Sequence, residues 1–167
     1  MTVVRRTGSG DALPIDAPSR RRLPILLRHA WYGLNQAFRR RISHLGITPD
    51  QFTVMRTLLE FGGITQSELT VQMSSDPNTV ASLLERMEKS GLLERRAHEK
   101  DRRAHRLLLQ ADGKRRYQKA REVAIALQTE VLAVLPEGQR EQFLEHLALV
   151  ADVCREAAER SPKGKHR

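Results

Sequence analysis

The sequence predicts a mostly α-helical fold with one small β-hairpin, and three observations predict it. Apolar residues recur at spacings of three and four along most of the chain, the pattern of helices that each bury one face. Thr, Asp, Pro and Gly stand where such helices must begin and end. Between Leu92 and Leu109 the pattern changes to two short runs around His98-Glu99-Lys100-Asp101-Arg102-Arg103, a charged tip with no apolar residue.

Taken in order, residues 1–22 contain a Gly/Ser stretch, Pro14, Pro18 and Arg20-Arg21-Arg22, and read as a flexible basic arm. A long helix over 23–45 follows, with Leu27, Trp31, Leu34, Phe38, Ile42 and Leu45 on one face and Gly46 as its terminator. Thr48, Pro49 and Gln51 form the N-cap, N1 and N3 of a second helix, whose core face is expected to be Phe52, Met55, Leu58 and Leu59. Gly62-Gly63 breaks the chain. Thr65 and Glu68 then make a capping box, in which the hydroxyl accepts from a free amide and the carboxylate reaches back. The short helix they open runs to about Val71, and Met73-Ser74-Ser75 makes a turn.

Asp76 is a good N-cap and Pro77 sits at N1, where its missing N–H costs nothing. Val80, Leu83, Leu84 and Met87 give the next helix its apolar face, and Gly91 ends it. Strands are expected at Leu92–Arg96 and Ala104–Leu109. A helix from about Ala111 to Leu135 carries Val123, Leu127, Val131 and Leu135 in register, and Pro136 stops it. A final helix starts near Glu137, with Phe143, Leu144, Leu147, Val150, Ala151 and Cys154 on its apolar face. Residues 159–167 read as a basic tail.

Two short helices followed by a basic hairpin make a winged helix-turn-helix. The polar face of the second helix carries Asn78, Thr79, Ser82, Arg86 and Lys89. Short polar side chains come first and cations later, the order a major-groove helix needs if its first turns meet base edges and its later ones phosphates. Asn78, Thr79 and Ser82 are therefore the expected base readers. Arg86 and Lys89, with Thr65 or Gln66, are the expected phosphate contacts. Residues 91–109 hold six Lys/Arg and three acids. Arginines on a narrow projection suit the minor groove, where negative potential concentrates.

Here the sequence resembles the MarR family of bacterial transcription regulators. The resemblance is carried by Gly46-Ile47-Thr48-Pro49-Asp50-Gln51-Phe52, by Ile64-Thr65-Gln66-Ser67-Glu68-Leu69, by the run from Leu84 to Arg95, and by Asp101-Arg102-Arg103. It covers roughly residues 23–158, with a DNA-binding lobe at about 48–109 and dimerisation helices at about 23–45 and 111–158. One departure is visible. The family has Leu-Thr after the wing where this chain has Leu109-Gln110, and Gln is a poorer N-cap than Thr.

The resemblance implies a homodimer on a pseudo-palindromic duplex, commonly a repressor relieved by a small aromatic or phenolic ligand. It assigns minor-groove insertion to Arg103, with Arg102 beside it, and a bracing role to Asp101. It also places a ligand pocket between the dimer helices and the DNA-binding lobe, where His29, Trp31 and Phe52 are candidates. From the residues alone, Trp31 reads as a core or dimer anchor rather than a pocket residue, and the outer helices could pack internally rather than on a second copy.

Composition bounds the remaining classes. Lys and Arg number 29 against 20 acids, a formal charge of +9, which suits a polyanionic partner. No apolar run approaches the roughly 20 residues that span a bilayer, and residues 1–23 lack a secretory h-region, so a cytoplasmic protein is expected. The six histidines show no metal-ligand spacing and no nucleophile–base cluster stands out, so neither a metal, a cofactor nor an enzymatic activity is expected. Cys154, the single cysteine, allows a redox-sensing regulator, but its place on an apolar helix face predicts a buried, inert thiol. A nucleoid-type protein with little sequence preference is the main alternative to a specific regulator.

Overall fold

The computed structural model describes residues 23–97 and 105–160. In chain order they form α1 (Leu23–Ile42), a 3-10 turn (Ser43–Leu45), α2 (Pro49–Phe61), α3 (Gln66–Gln72), α4 (Pro77–Lys89), β1 (Leu93–Ala97), β2 (His105–Leu109), α5 (Ala111–Leu132) and α6 (Glu137–Arg160). They fall into two compact units that divide within α5, one ending at Tyr117 and the other beginning at Gln118.

Local chemistry fixes most boundaries in the first unit. Thr48 and Gln51 cap α2 reciprocally, Thr65 and Glu68 do the same for α3, and Pro49 and Pro77 fill first-turn positions. Gly46 and Gly62 close the preceding helical turns in the left-handed region, at φ 64° and 66°. Between α3 and α4 the turn is made by Ser74 at φ 48°, a left-handed conformation without glycine.

The buried side chains come from most elements of this unit, beginning with Phe38 and Ile42 of α1. Val54, Met55 and Leu58 of α2, Leu69 of α3, Val80, Leu83, Leu84 and Met87 of α4, and Leu92, Leu93, Leu107 and Leu109 at the hairpin form the core. β1 and β2 pair antiparallel with Leu93 opposite Leu109 and Ala97 opposite His105. The Leu107 N–H also donates to Ile64 O at 2.9 Å, and Thr65 bridges Arg106, so the residues entering α3 add a short third rung. The hairpin is thereby fastened to the helix-turn-helix.

Several expectations need correction. Leu59 is 39% exposed, and the α2 stripe is Val54, Met55 and Leu58 with Thr57 at its edge. Residues 43–45 belong to the 3-10 turn rather than α1, and the first strand starts at Leu93, one residue late. α5 ends at Leu132, before Leu135, because residues 133–135 turn ahead of Pro136. The weak Gln110 cap does not delay α5, which begins at Ala111 with Gln110 O accepting from Lys114 N–H at 3.0 Å.

In the second unit, Ala120 and Leu127 are buried, whereas α6 buries no residue. α6 continues to Arg160, past the expected end at 158. Cys154 is exposed within the single chain, against the expectation of a buried thiol. Among the described residues, no helix is long and apolar enough to cross a membrane, and no His/Cys/Asp/Glu group could hold a metal ion.

Candidate nucleic-acid interface

The site is built on α4. Its four buried residues lock one face into the core, and this leaves Asn78, Thr79, Ser82, Arg86 and Lys89 exposed on the other. The start of α4 is tightly made. Asp76 Oδ1 accepts from Thr79 N–H at 2.9 Å. The Thr79 hydroxyl also donates to this carboxylate, and with the backbone bond it holds Asp76 below the usual carboxylate pKa.

Toward the end of α4 the charges are partly paired. Lys89 Nζ stands 2.8 Å from Glu85 Oε1, one turn back. That hydrogen bond lowers the Glu85 pKa and raises that of Lys89, so the ammonium stays charged across the neutral range. Both side chains are more than 60% exposed, so the pair is a weak one that a phosphate can compete for. Arg95 Nε lies 3.3 Å from Glu88 Oε2, which links the wing strand to α4. Arg96 pairs with Glu94 on the same strand at 2.6 Å.

Thr65 and Gln66 sit at the start of α3, both half-buried. The Thr65 hydroxyl donates to Glu68 Oε2 at 2.9 Å and accepts from Glu68 N–H at 3.3 Å, so the cap uses both its functions. Asp101, Arg102 and Arg103 lie outside the described residues.

The candidate ligand residues have different surroundings. Phe52 packs edge-on against Phe38 at 4.9 Å between centroids and stacks with Tyr117 at 5.3 Å. Trp31 is 64% exposed and His29 is exposed. An open cleft of about 310 Å³ does exist at the wing root, lined by Leu58, Leu59, Gly63, Arg96, Leu108 and Lys114 among others. None of His29, Trp31 and Phe52 lines it.

Sequence reasoning missed two features of this region. The engaged hydroxyl of Thr79 was legible in part, because Thr at N3 after an Asp cap is within reach of it. The contact of Arg116 with the carbonyls of Leu45 and Gly46 joins residues 71 and 70 apart and has no local signal.

Residues 47–105 match the MarR family model. The chain is 36% identical over 89 residues to the HTH-type transcriptional regulator YsmB of Bacillus subtilis (strain 168), which covers 53% of this chain and 61% of that protein. The match thus spans somewhat less than two thirds of that relative. It is 29% identical over 118 residues to the HTH-type transcriptional repressor MdtR of the same organism, covering 71% of this chain and 74% of that one. Among solved structures, the transcriptional repressor CouR bound to a 23-mer DNA duplex superposes with a TM-score of 0.71 at 26% identity, over 77% of this chain and 92% of that chain. The capped α3–α4 pair, the hairpin fastened to it and these matches lead to one conclusion: the chain has a MarR-like winged helix-turn-helix fold with N- and C-terminal helices, and its residues 47–105 match the MarR family.

Proposed function

We propose that the protein is a sequence-specific repressor that binds a pseudo-palindromic duplex as a homodimer and is released by a small aromatic or phenolic ligand. The observation that carries the DNA-binding part is the two-faced α4, with Val80, Leu83, Leu84 and Met87 buried and every polar candidate exposed. Asn78 and Ser82 read base edges, and Thr79 offers its methyl group to a thymine. Gln66, Arg86 and Lys89 hold phosphates, while Arg103, with Arg102 beside it, enters the minor groove and is braced by Asp101. The likeness to MdtR, a transcriptional repressor, and to CouR, which binds a DNA duplex, supports the direction of this reading.

The dimer rests on apolar surface that a single chain leaves uncovered. Trp31, Leu34, Ile125, Val131, Phe143 and Leu147 are each at least 36% exposed. Exposed apolar surface on this scale marks an interface. A two-fold pair would present two copies of α4 to successive major grooves, about 34 Å apart along the duplex. Trp31 and His29, exposed in one chain, would then border a pocket beside Phe52 that a ligand can enter. Release follows if the ligand binds a different spacing of the two recognition helices better than DNA does.

Enrichment from a library of random duplexes tests the reading. The enriched sequence is expected to contain two inverted half-sites centred about one helical turn apart. A half-site without its inverted mate would remove the dimeric mode, and an unenriched pool would leave a nucleoid-type binder.

A further inference from the structure

The first turn of α5 is clamped from two sides. On one side it meets the wing root: Gln110 N–H donates to Leu92 O at 3.0 Å, and Gly113 lies so close that a Cβ there would overlap the Leu92 carbonyl. On the other side Arg116 reaches the elbow between α1 and α2. Its Nη1 donates to Leu45 O at 3.0 Å and to Gly46 O at 3.4 Å. These are carbonyls at the end of a helical turn, which lack helical partners and carry partial negative charge, so a cation is favoured there. The rest of the guanidinium fork is held by Asp112, with Nε 3.0 Å and Nη2 2.9 Å from Oδ2. Asp112 also pairs with Arg115 and stands in the first turn of α5, where a carboxylate is favoured by the helix dipole. Gly46 completes the fit, since a Cβ at that position would lie 2.9 Å from Arg116 Nη1.

We propose that Arg116, oriented by Asp112, is a positioning residue for DNA binding: it fixes the first turn of α5 against the α1–α2 elbow and so sets the wing root. β1 begins at Leu93, directly after Leu92, and β2 ends at Leu109, directly before Gln110. A shift of the turn moves both strands together. Arg116 acts on DNA through the wing without touching it. This rests on the DNA-binding reading above and adds a residue outside the interface itself.

The fork geometry separates this role from others. Arg116→Lys keeps the charge but lacks the planar fork whose separate nitrogens meet Asp112 and the two carbonyls. Asp112→Asn makes the protein more positive, which by electrostatics alone tightens DNA binding. Affinities would be measured for the full-length chain on the duplex enriched by the wild type, well below each variant's melting temperature, across a salt series. Positioning predicts that both variants lose about fivefold or more in affinity, with an unchanged log–log salt slope. Wild-type affinity for Arg116→Lys, with Arg116→Ala weakened and its slope flatter by about one, would make Arg116 a phosphate contact and overturn the proposal. Lower melting temperatures with unchanged affinity would make it a structural tie only, and would overturn it equally. Hydrogen exchange on the DNA-free protein keeps the test independent of the functional reading. The clamp predicts faster exchange at residues 107–116 in both variants with α4 unchanged, even if the wild type binds no specific duplex. Unchanged exchange across 107–116 would remove the clamp.

Discussion

Thr79 gives both its backbone N–H and its hydroxyl to the Asp76 carboxylate. Thr79, a proposed base reader, is thus also part of the cap that starts its helix. Thr79→Val removes the hydroxyl and keeps a methyl group toward the groove. It is expected to lower the melting temperature slightly and to leave the preference for the enriched duplex intact. Loss of that preference, with folding unchanged, would show that the hydroxyl leaves the cap to read a base.

The same cap has a pH signature. Asp76 has a lowered pKa in the folded chain, so its contribution is fully present above the unfolded pKa and is lost as pH falls through the lower, folded value. Between pH 5 and 8 it contributes constantly. Asp76→Asn, which keeps a capping oxygen without titrating, should therefore flatten the stability profile below about pH 4 relative to the wild type. Identical acid profiles for the two proteins would show that the carboxylate gains nothing from Thr79.

Asn78 directly precedes Thr79 in the first turn and is exposed. An Asn side chain can pair bidentately with adenine, and a good pair discriminates by about 1–3 kcal/mol. Asn78→Ala should cost that amount on the enriched duplex and little on random DNA. Equal losses on both would assign Asn78 to the backbone or to nothing.

For the wing tip the proposed division of labour gives opposite signs. Arg103→Ala should weaken binding severalfold or more and flatten the salt slope by about one unit. Asp101→Ala raises the net charge, so undirected electrostatics predicts tighter binding. A bracing carboxylate predicts weaker binding, because a loosened arginine must be ordered at a cost of up to about 2 kcal/mol. Affinities at matched ionic strength decide between them.

Gly113 offers a test of the wing root. Its Cα faces the Leu92 carbonyl with no room for a side chain. Gly113→Ala gains helix propensity on paper, yet it should destabilise the fold by about 1–3 kcal/mol, the usual cost of overpacking. Denaturant unfolding measures this. A stabilised variant would mean that the contact relaxes at no cost.

The helix starts were legible because capping is local: Thr48, Thr65 and Asp76 each bond a residue three positions on. The buried face of α4 was legible because all four of its residues follow one period. α2 was harder. Its stripe is broadened by Val54 and Thr57, and a one-residue error turns a helix by about 100°, which moves Leu59 from core to solvent. The contact of Arg116 with Leu45 depends on a close approach between segments far apart in sequence, and no periodicity encodes it. The apolar face of α6 was legible as a pattern, but a pattern does not say whether one chain or two will cover it; one chain leaves Phe143 44% exposed.

Competition between the enriched duplex and bulk random-sequence DNA, read by fluorescence anisotropy at physiological salt, tests the central claim most directly. A specific operator-binding dimer should prefer the enriched duplex by about 10³-fold or more, and scrambling either half-site should abolish most of that preference. A ratio near one, with tight salt-dependent binding to both DNAs, would contradict the account and leave a protein that binds DNA by charge alone.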